Sequence, residues 1–247
     1  MVIIEPVPCL RDNYAYLLRD PERGDAWLVD PSEAGPTGEA LAGHRCVLRG
    51  ILATHHHRDH VGGIAELVAR HPGVWVAGHA SDRGRIPEQT QFVDAPTDAW
   101  IDTGLEVAGR RVLGLHIPGH TRGAIAWRLT ATESEPDDVF TGDTLFAGGC
   151  GRLFEGTPAQ MHTSLQRLTA LPGETRLWFG HEYTAANLRF AAVAEPDNAE
   201  VPRRLGSLSA RTTPTTVAAE LATNPFVRAR SVEELAARRQ AKDEFQG

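Results

Sequence analysis

Four imidazoles and a carboxylate lie close together in residues 54–60, which read THHHRDH. Side chains on one helix face recur every three to four positions and those on one strand face every second position, so neither element can present the whole set in one direction. Residues 50–53 before the motif have a strand pattern and residues 62–68 after it a helix pattern. We therefore predict a turn that folds several side chains toward one point. Imidazole and carboxylate are ligands of Zn, Fe and Mn, and the set exceeds what one tetrahedral ion needs, so two metals are favoured.

Three later segments each place a possible ligand beside glycine: Pro118-Gly119-His120-Thr121, Thr141-Gly142-Asp143-Thr144 and Phe179-Gly180-His181-Glu182-Tyr183. Glycine permits a sharp exit from a strand, so we expect these ligands at strand ends. A single histidine or aspartate of this kind is ordinarily structural. Four such features in one chain favour a metal centre instead.

The remaining histidines are expected to be structural. His56 lies inside the motif, but its parity places it opposite His55 and His57, so it is not predicted to be a ligand. The others are His44, His71, His79, His116 and His162.

Composition narrows the class of protein. The 247 residues are 41% hydrophobic and 23% charged, which suits one large domain or one domain with a small appendage. The N-terminus lacks the basic flank of a signal peptide, and no apolar run approaches the roughly 18 residues of a membrane helix. Three cysteines without paired spacing favour a reducing compartment, and a net charge of −7 argues against nucleic-acid binding. We expect a cytoplasmic monomer without membrane partners.

Strand and helix patterns alternate as far as about residue 182, after which helices with proline breaks follow. This indicates an α/β body, residues 1–182, and a helical C-terminal domain, residues 183–247. The predicted strands are 2–7, 13–19, 26–30, 50–53, 74–77, 105–107, 112–116, 125–129, 138–141 and 177–179. The predicted helices are 36–43, 62–68, 157–170 and 231–245, the last two opened by capping boxes at Thr157 and Ser231.

In their order and spacing, THHHRDH, PGHT, GDTLF and GHEYT resemble the metallo-β-lactamase superfamily. Further segments resemble one member family, the hydroxyacylglutathione hydrolases or glyoxalases II. These segments are Asp12-Asn13-Tyr14, residues 150–157 (CGRLFEGT), Asn224-Pro225-Phe226 and residues 239–243 (RQAKD). The resemblance implies a four-layer αββα sandwich with two metals between the sheets and a small all-helical C-terminal domain over the site.

The resemblance also implies roles for individual residues. His55, His57 and His120 would bind the first metal, and Asp59, His60 and His181 the second, with Asp143 bridging both. Zn is the first choice of metal, with Fe or Mn as alternatives. The glutathione part of the substrate would contact Arg152, Phe154, Tyr183, Arg239 and Lys242. Arg152 replaces the lysine of some members, and Phe154 replaces a tyrosine, which removes a hydroxyl contact.

The expected reaction is hydrolysis of S-D-lactoylglutathione to glutathione and D-lactate, a step in methylglyoxal detoxification. Metal coordination lowers the pKa of water, so a hydroxide bridging the two metals can attack the thioester. Asp59 and Asp143 would act through that hydroxide, and a thiolate leaves without a strong general acid. Cys150 would then be a packing residue and not a nucleophile. Lys242 is the only lysine in the chain, which hints at a site that requires a compact ammonium.

Four other interpretations compete with this one. An iron persulfide dioxygenase of the same fold would not need the ligands Asp59, His60 and His181. A different thioesterase would differ in its acyl or thiol group. A non-catalytic binding protein would have lost ligands, and a β-lactamase would have no use for the helical tail.

Overall fold

Two six-stranded sheets lie face to face in the computed structural model, which describes residues 1–245. The first sheet contains, in spatial order, β1 (Ile3–Cys9), β2 (Asn13–Asp20), β3 (Asp25–Val29), β4 (Val47–Leu52), β5 (Trp75–His79) and β6 (Gln91–Val93). The second contains β7 (Ile101–Val107), β8 (Arg110–His116), β9 (Ile125–Leu129), β10 (Asp138–Gly142), β13 (Arg176–Phe179) and β14 (Thr215–Thr216), again in spatial order. A short hairpin, β11 (Leu145–Phe146) and β12 (Gly149–Cys150), follows β10.

Helices accompany both sheets. Those in the described part of the chain are α1 (Ala34–His44), α2 (Arg58–Val61), α3 (Ile64–Arg70), α4 (Pro158–Thr169), α5 (Thr184–Ala194), α6 (Glu200–Gly206), α7 (Val217–Thr223) and α8 (Val232–Glu244). Thr157 accepts from the backbone N–H of Gln160 at the start of α4, and the Gln160 side chain returns the contact, so the predicted capping box is confirmed. Within residues 1–245 no helix is long and apolar enough to cross a membrane.

Three apolar clusters hold the layers together. Between the sheets, alternate side chains such as Tyr16 and Trp27 meet Trp127 and Phe140. The outer face of the first sheet packs against α1 and α3, and that of the second against α4 and α8. The expected αββα sandwich is confirmed.

The chain after residue 182 is joined closely to this sandwich. Phe226 and Leu235 are fully buried in the same cluster as Leu165 of α4 and Leu177 of β13. The tail also adds β14 to the edge of the second sheet, where it pairs with β13. The predicted boundary between the α/β body and the helical C-terminal domain, between residues 182 and 183, stays a prediction.

The first sheet positions the histidine motif. Strands β3, β4, β5 and β6 are parallel neighbours, so their carboxyl ends meet at one edge. The motif begins at Thr54, two residues after the end of β4. Its last residues form the short helix α2, which was not predicted, and the predicted helix 62–68 corresponds to α3. Four strands of two or three residues, β6, β11, β12 and β14, were not predicted, because runs this short carry no periodic pattern.

Candidate active site

The predicted turn after β4 has two fixed ends. The N–H of Thr54 donates to Asp30 Oδ1 at 2.7 Å, which holds the exit from the strand. His57 is the N-cap of α2, and its carbonyl accepts from the N–H of His60 at 2.9 Å. This one-turn helix brings the side chains on both sides of it toward the same point.

The three predicted ligands of the first metal converge. His57 Nδ1 lies 3.1 Å from His55 Nε2 and 3.0 Å from His120 Nε2. Two nitrogens bound to one tetrahedral zinc ion lie about 3.3 Å apart, because each bond is about 2.0–2.1 Å long. Burial, followed by neighbouring imidazoles, lowers the pKa of His57 to about 4. Burial also lowers the pKa of His55 and of His120, so all three rings are neutral, the form that binds metal.

The predicted ligands of the second metal form a neighbouring group. His181 Nε2 lies 3.4 Å from Asp59 Oδ2, and His60 Nε2 lies 3.9 Å from the same oxygen. Asp143 reaches both groups: its Oδ2 is 3.2 Å from His181 Nε2 and 3.6 Å from His120 Nε2. Its Oδ1 is 3.2 Å from His60 Nε2.

The electrostatics of this cluster fit bound cations. Burial lowers the pKa of His181, but hydrogen bonds to Asp143 and Asp59 outweigh it and raise the pKa to about 10. Burial also lowers the pKa of His60, but the negative charges of Asp143 and Asp30 outweigh it and raise the pKa. His60 Nε2 and Asp143 Oδ1 are buried and lie 3.2 Å apart in a geometry that forms no hydrogen bond, and neither has another partner in the described part of the chain. The carboxylates thus create a field that favours positive charge, and two buried donor atoms are available to ligate it.

Outer contacts fix the orientation of the imidazoles. Asp30 Oδ2 lies 2.9 Å from His60 Nδ1, and Asp12 Oδ1 lies 2.9 Å from His181 Nδ1. The carbonyl of Arg152 lies 2.8 Å from His120 Nδ1. Partners of this kind hold the opposite ring nitrogen toward a metal. Sequence reasoning missed Asp30 and Asp12. The available signal for Asp30 was its position just after β3, at the same sheet edge as the motif.

Two glycines next to predicted ligands have no room for a side chain. A Cβ on Gly180 would lie 2.3 Å from Asp143 Oδ1 and 2.6 Å from His60 Cε1. Gly142 has φ +50°, and a Cβ there would lie 2.3 Å from Thr54 Oγ1. Larger residues at either position would displace a ligand or the strand end that supports it.

His56 points away from the cluster. Its Nδ1 lies 3.2 Å from Asp82 Oδ1, and its Nε2 lies 3.8 Å from Glu155 Oε1. Asp82 is fully buried, and Arg85 contacts both carboxylates. This network joins the motif to the segment before α4, and His56 is absent from the groups that could hold a metal.

A cavity of about 780 Å³ opens beside the cluster. Five of the seven predicted ligands line it: His57, Asp59, His120, Asp143 and His181. The five side chains predicted to contact substrate, Arg152, Phe154, Tyr183, Arg239 and Lys242, line it as well. The structure therefore brings both predicted sets together, although their roles stay predictions. Asn187, Asp243 and Phe245 also line the cavity and were not predicted.

Two aromatic rings cover the histidines. Tyr183 stacks on His181 with ring centroids 4.8 Å apart and planes 4° from parallel. Phe154, which is 63% exposed, lies edge-on to His57 and His120 at 5.6 and 5.3 Å. An exposed phenyl ring at this position offers an apolar surface to a ligand that enters the cavity.

The cationic part of the cavity wall comes largely from α8. Arg239 is buried, and its Nη1 donates to the carbonyl of Cys150 at 2.8 Å. Lys242 Nζ donates to the carbonyl of Ala186 at 3.0 Å and lies 5.4 Å from the Phe190 ring. Burial, followed by repulsion from Arg239 and Arg189, lowers the pKa of Lys242 to about 8.

Cys150 has the environment of a packing residue. It is 4% exposed, and burial raises the pKa of its thiol to about 11. Nucleophilic cysteines act as thiolates, which this environment disfavours.

Comparisons with known proteins agree with this geometry. Residues 10–181 match the metallo-beta-lactamase superfamily, and residues 182–246 match the hydroxyacylglutathione hydrolase C-terminus. A hydroxyacylglutathione hydrolase of Gloeobacter violaceus is 49% identical over 234 residues, which cover 92% of this chain and 88% of the relative. One from Synechococcus sp. strain JA-3-3Ab is 47% identical over 228 residues, covering 90% of this chain and 86% of the relative. The chain belongs to the hydroxyacylglutathione hydrolase family.

Solved structures share the fold of this hydroxyacylglutathione hydrolase family member. ETHE1 from Myxococcus xanthus has a TM-score of 0.68 and 25% identity, covering 96% of this chain and 90% of its own. TTHA1623, solved in a di-iron-bound form, has a TM-score of 0.60 and 29% identity, covering 90% of this chain and 99% of its own. The resemblance recognised from the motifs is thereby confirmed, and the superfamily and the His/Asp clusters together indicate a dinuclear metal site.

Proposed function

We propose that this protein hydrolyses 2-hydroxyacylglutathione thioesters, with S-D-lactoylglutathione as the principal substrate, and releases glutathione and D-lactate. The observation that carries the proposal is the shared cavity, which is lined both by five of the seven predicted ligand side chains and by the cationic side chains Arg152, Arg239 and Lys242. The names of the relatives supply the thioester class.

The metal assignment follows from the two groups of donor atoms. His55, His57 and His120 would hold one ion and Asp59, His60 and His181 the other, with Asp143 between them. Two divalent cations bound there would acidify water and polarise the thioester carbonyl. Zn suits the mixed nitrogen and oxygen donors, and Fe or Mn would also be accepted.

The remaining residues bind and orient the substrate. Three cationic side chains would bind the two carboxylates of glutathione: Arg152, Arg239 and Lys242. Their positive charges offset the net charge of −7, which would otherwise repel an anionic substrate. Phe154 and Tyr183 shield the histidines from bulk water on the side where the thioester would lie. Asp59 and Asp143 stay ionised because His181 holds the pKa of Asp59 low, and His60 and His181 outweigh the effect of burial on Asp143. They are therefore available as ligands throughout the neutral range.

Hydrolysis of S-D-lactoylglutathione by metal-replete protein tests the proposal. The loss of thioester absorbance should follow saturation kinetics, and a neutral thioester without the glutathione carboxylates should be a poor substrate. If the glutathione thioester is hydrolysed no faster than the neutral one, the assignment of the cationic wall is wrong. We also propose that the protein is a cytoplasmic monomer. Sedimentation of the purified protein tests whether it is monomeric.

A further inference from the structure

One carboxylate lies among the cations of the cavity wall. Asp243 Oδ1 is 3.0 Å from Arg239 Nη2 and 3.3 Å from Arg152 Nε, so a single oxygen contacts both guanidinium groups. Arg239 and Asp243 belong to α8, whereas Arg152 follows β12 in the segment that also carries Phe154. The contact therefore connects the helical tail with the loop beside the predicted metal site.

The two arginines depend on Asp243 to different degrees. Arg239 is 7% exposed, donates to the carbonyl of Cys150 and lies over the Phe226 ring, so its position is fixed by several contacts. The side chain of Arg152 is 64% exposed, and Asp243 is its ion-pair partner within residues 1–245. A long, exposed side chain with one partner loses its orientation when that partner is removed.

A donor beside this pair is free. Arg239 Nε is buried without a hydrogen-bond partner in the described residues, and Arg239 lines the cavity. A buried guanidinium donor ordinarily has a partner, so an acceptor supplied by a ligand is the natural complement. Two guanidinium groups held side by side suit a carboxylate, which accepts several hydrogen bonds in one plane.

We propose that Asp243 is a positioning residue for substrate binding, which holds the Arg152 guanidinium beside Arg239 so that both bind one carboxylate of the substrate. This inference rests on the proposed hydrolysis of a glutathione thioester. Asp243 would itself contact no reacting atom. Its side chain is 42% exposed, and an ion pair of that exposure contributes little to folding, so the binding effect can be separated from stability.

The test compares Asp243→Asn with Glu244→Gln, which removes the same charge from the next residue of α8, one that does not line the cavity. Asp243→Asn should raise KM for S-D-lactoylglutathione about two- to fivefold and leave kcat unchanged, the range expected for an exposed ion pair. Glu244→Gln should change neither constant, and Asp243→Glu should restore most of the affinity. The dissociation constant for glutathione, measured by calorimetry without turnover, should rise by the same factor.

A double-mutant cycle identifies the residue through which Asp243 acts. In an Arg152→Gln background, Asp243→Asn should have no further effect on KM, because the guanidinium that it positions is absent. A lower KM in Asp243→Asn would mean that the carboxylate competes with the substrate. Equal effects of Asp243→Asn and Glu244→Gln on KM would mean that both act through general electrostatics. Each of these results overturns the role of Asp243 but leaves the proposed function standing. A parent protein that does not hydrolyse the glutathione thioester overturns the proposed function and this inference with it.

Discussion

Raising the pH should weaken substrate binding through Lys242. The pKa of this ammonium is lowered to about 8 by burial and by nearby arginines, so it is present at neutral pH and is lost as the pH rises through 8. About nine-tenths of the side chains are protonated at pH 7 and about one-tenth at pH 9. If only the ammonium binds the substrate carboxylate, KM should rise about tenfold between these two values.

Two variants separate Lys242 from other titrating groups. Lys242→Arg keeps a side chain that stays positively charged throughout this pH range. The KM of this variant should therefore change with pH only through ionisation of the substrate itself. Lys242→Ala should have a KM raised about ten- to a hundredfold at pH 7, since a charge-assisted hydrogen bond contributes roughly 1.5–3 kcal/mol. High salt should reduce that difference, because salt screens the attraction between the partly buried ammonium and an anionic substrate.

The assay is steady-state hydrolysis of S-D-lactoylglutathione at intervals between pH 6.5 and 9, with KM and kcat fitted separately. A neutral thioester without the glutathione carboxylates serves as the control, and Lys242→Ala should hydrolyse it as well as the parent does. An identical rise of KM with pH in the parent and in Lys242→Arg would refute the role of the ammonium. Equal damage to both substrates in Lys242→Ala would assign the residue to folding instead.

Three further substitutions test other parts of the site and the fold. Asp143→Ala should lose both metal occupancy, measured by elemental analysis, and hydrolysis, because Asp143 reaches both ligand groups; retention of two metals would contradict this. Cys150→Ala should keep kcat within about tenfold, or ~1.4 kcal/mol of barrier, and abolished turnover in a folded, metal-replete variant would indicate a thiol nucleophile. Asp138→Ala should lower the free energy of unfolding by about 3–5 kcal/mol in urea titrations, because it leaves Arg110 and Arg176 without their buried partner. A loss below 1 kcal/mol would show that the buried pairs contribute little.

The ligand motifs could be predicted because their information is local. In THHHRDH the spacing alone requires a turn, and glycine beside His120, Asp143 and His181 marks places where a strand ends. The structure adds a reason that spacing does not contain: Gly180 is needed because Asp143 and His60 fill the space where its side chain would lie.

Contacts between distant segments could not be predicted. Asp30 supports His60 only because β3 and β4 are parallel neighbours, and a pairing of that kind leaves no mark on either segment alone. Asp12 contacts His181 across 169 positions of the chain. Asp243 looks like an ordinary exposed helix residue, and its two arginine partners become visible only when α8 packs beside the loop that carries Arg152.

Metal reconstitution tests the central claim most directly. Protein stripped with a chelator should hydrolyse S-D-lactoylglutathione negligibly, and activity should return as zinc is added. We predict full activity at about two equivalents of zinc per chain, since the seven predicted ligand side chains exceed the four of one tetrahedral site. Full activity at one equivalent, with no further binding, would contradict the dinuclear centre, and undiminished activity of the metal-free protein would contradict metal-dependent hydrolysis altogether.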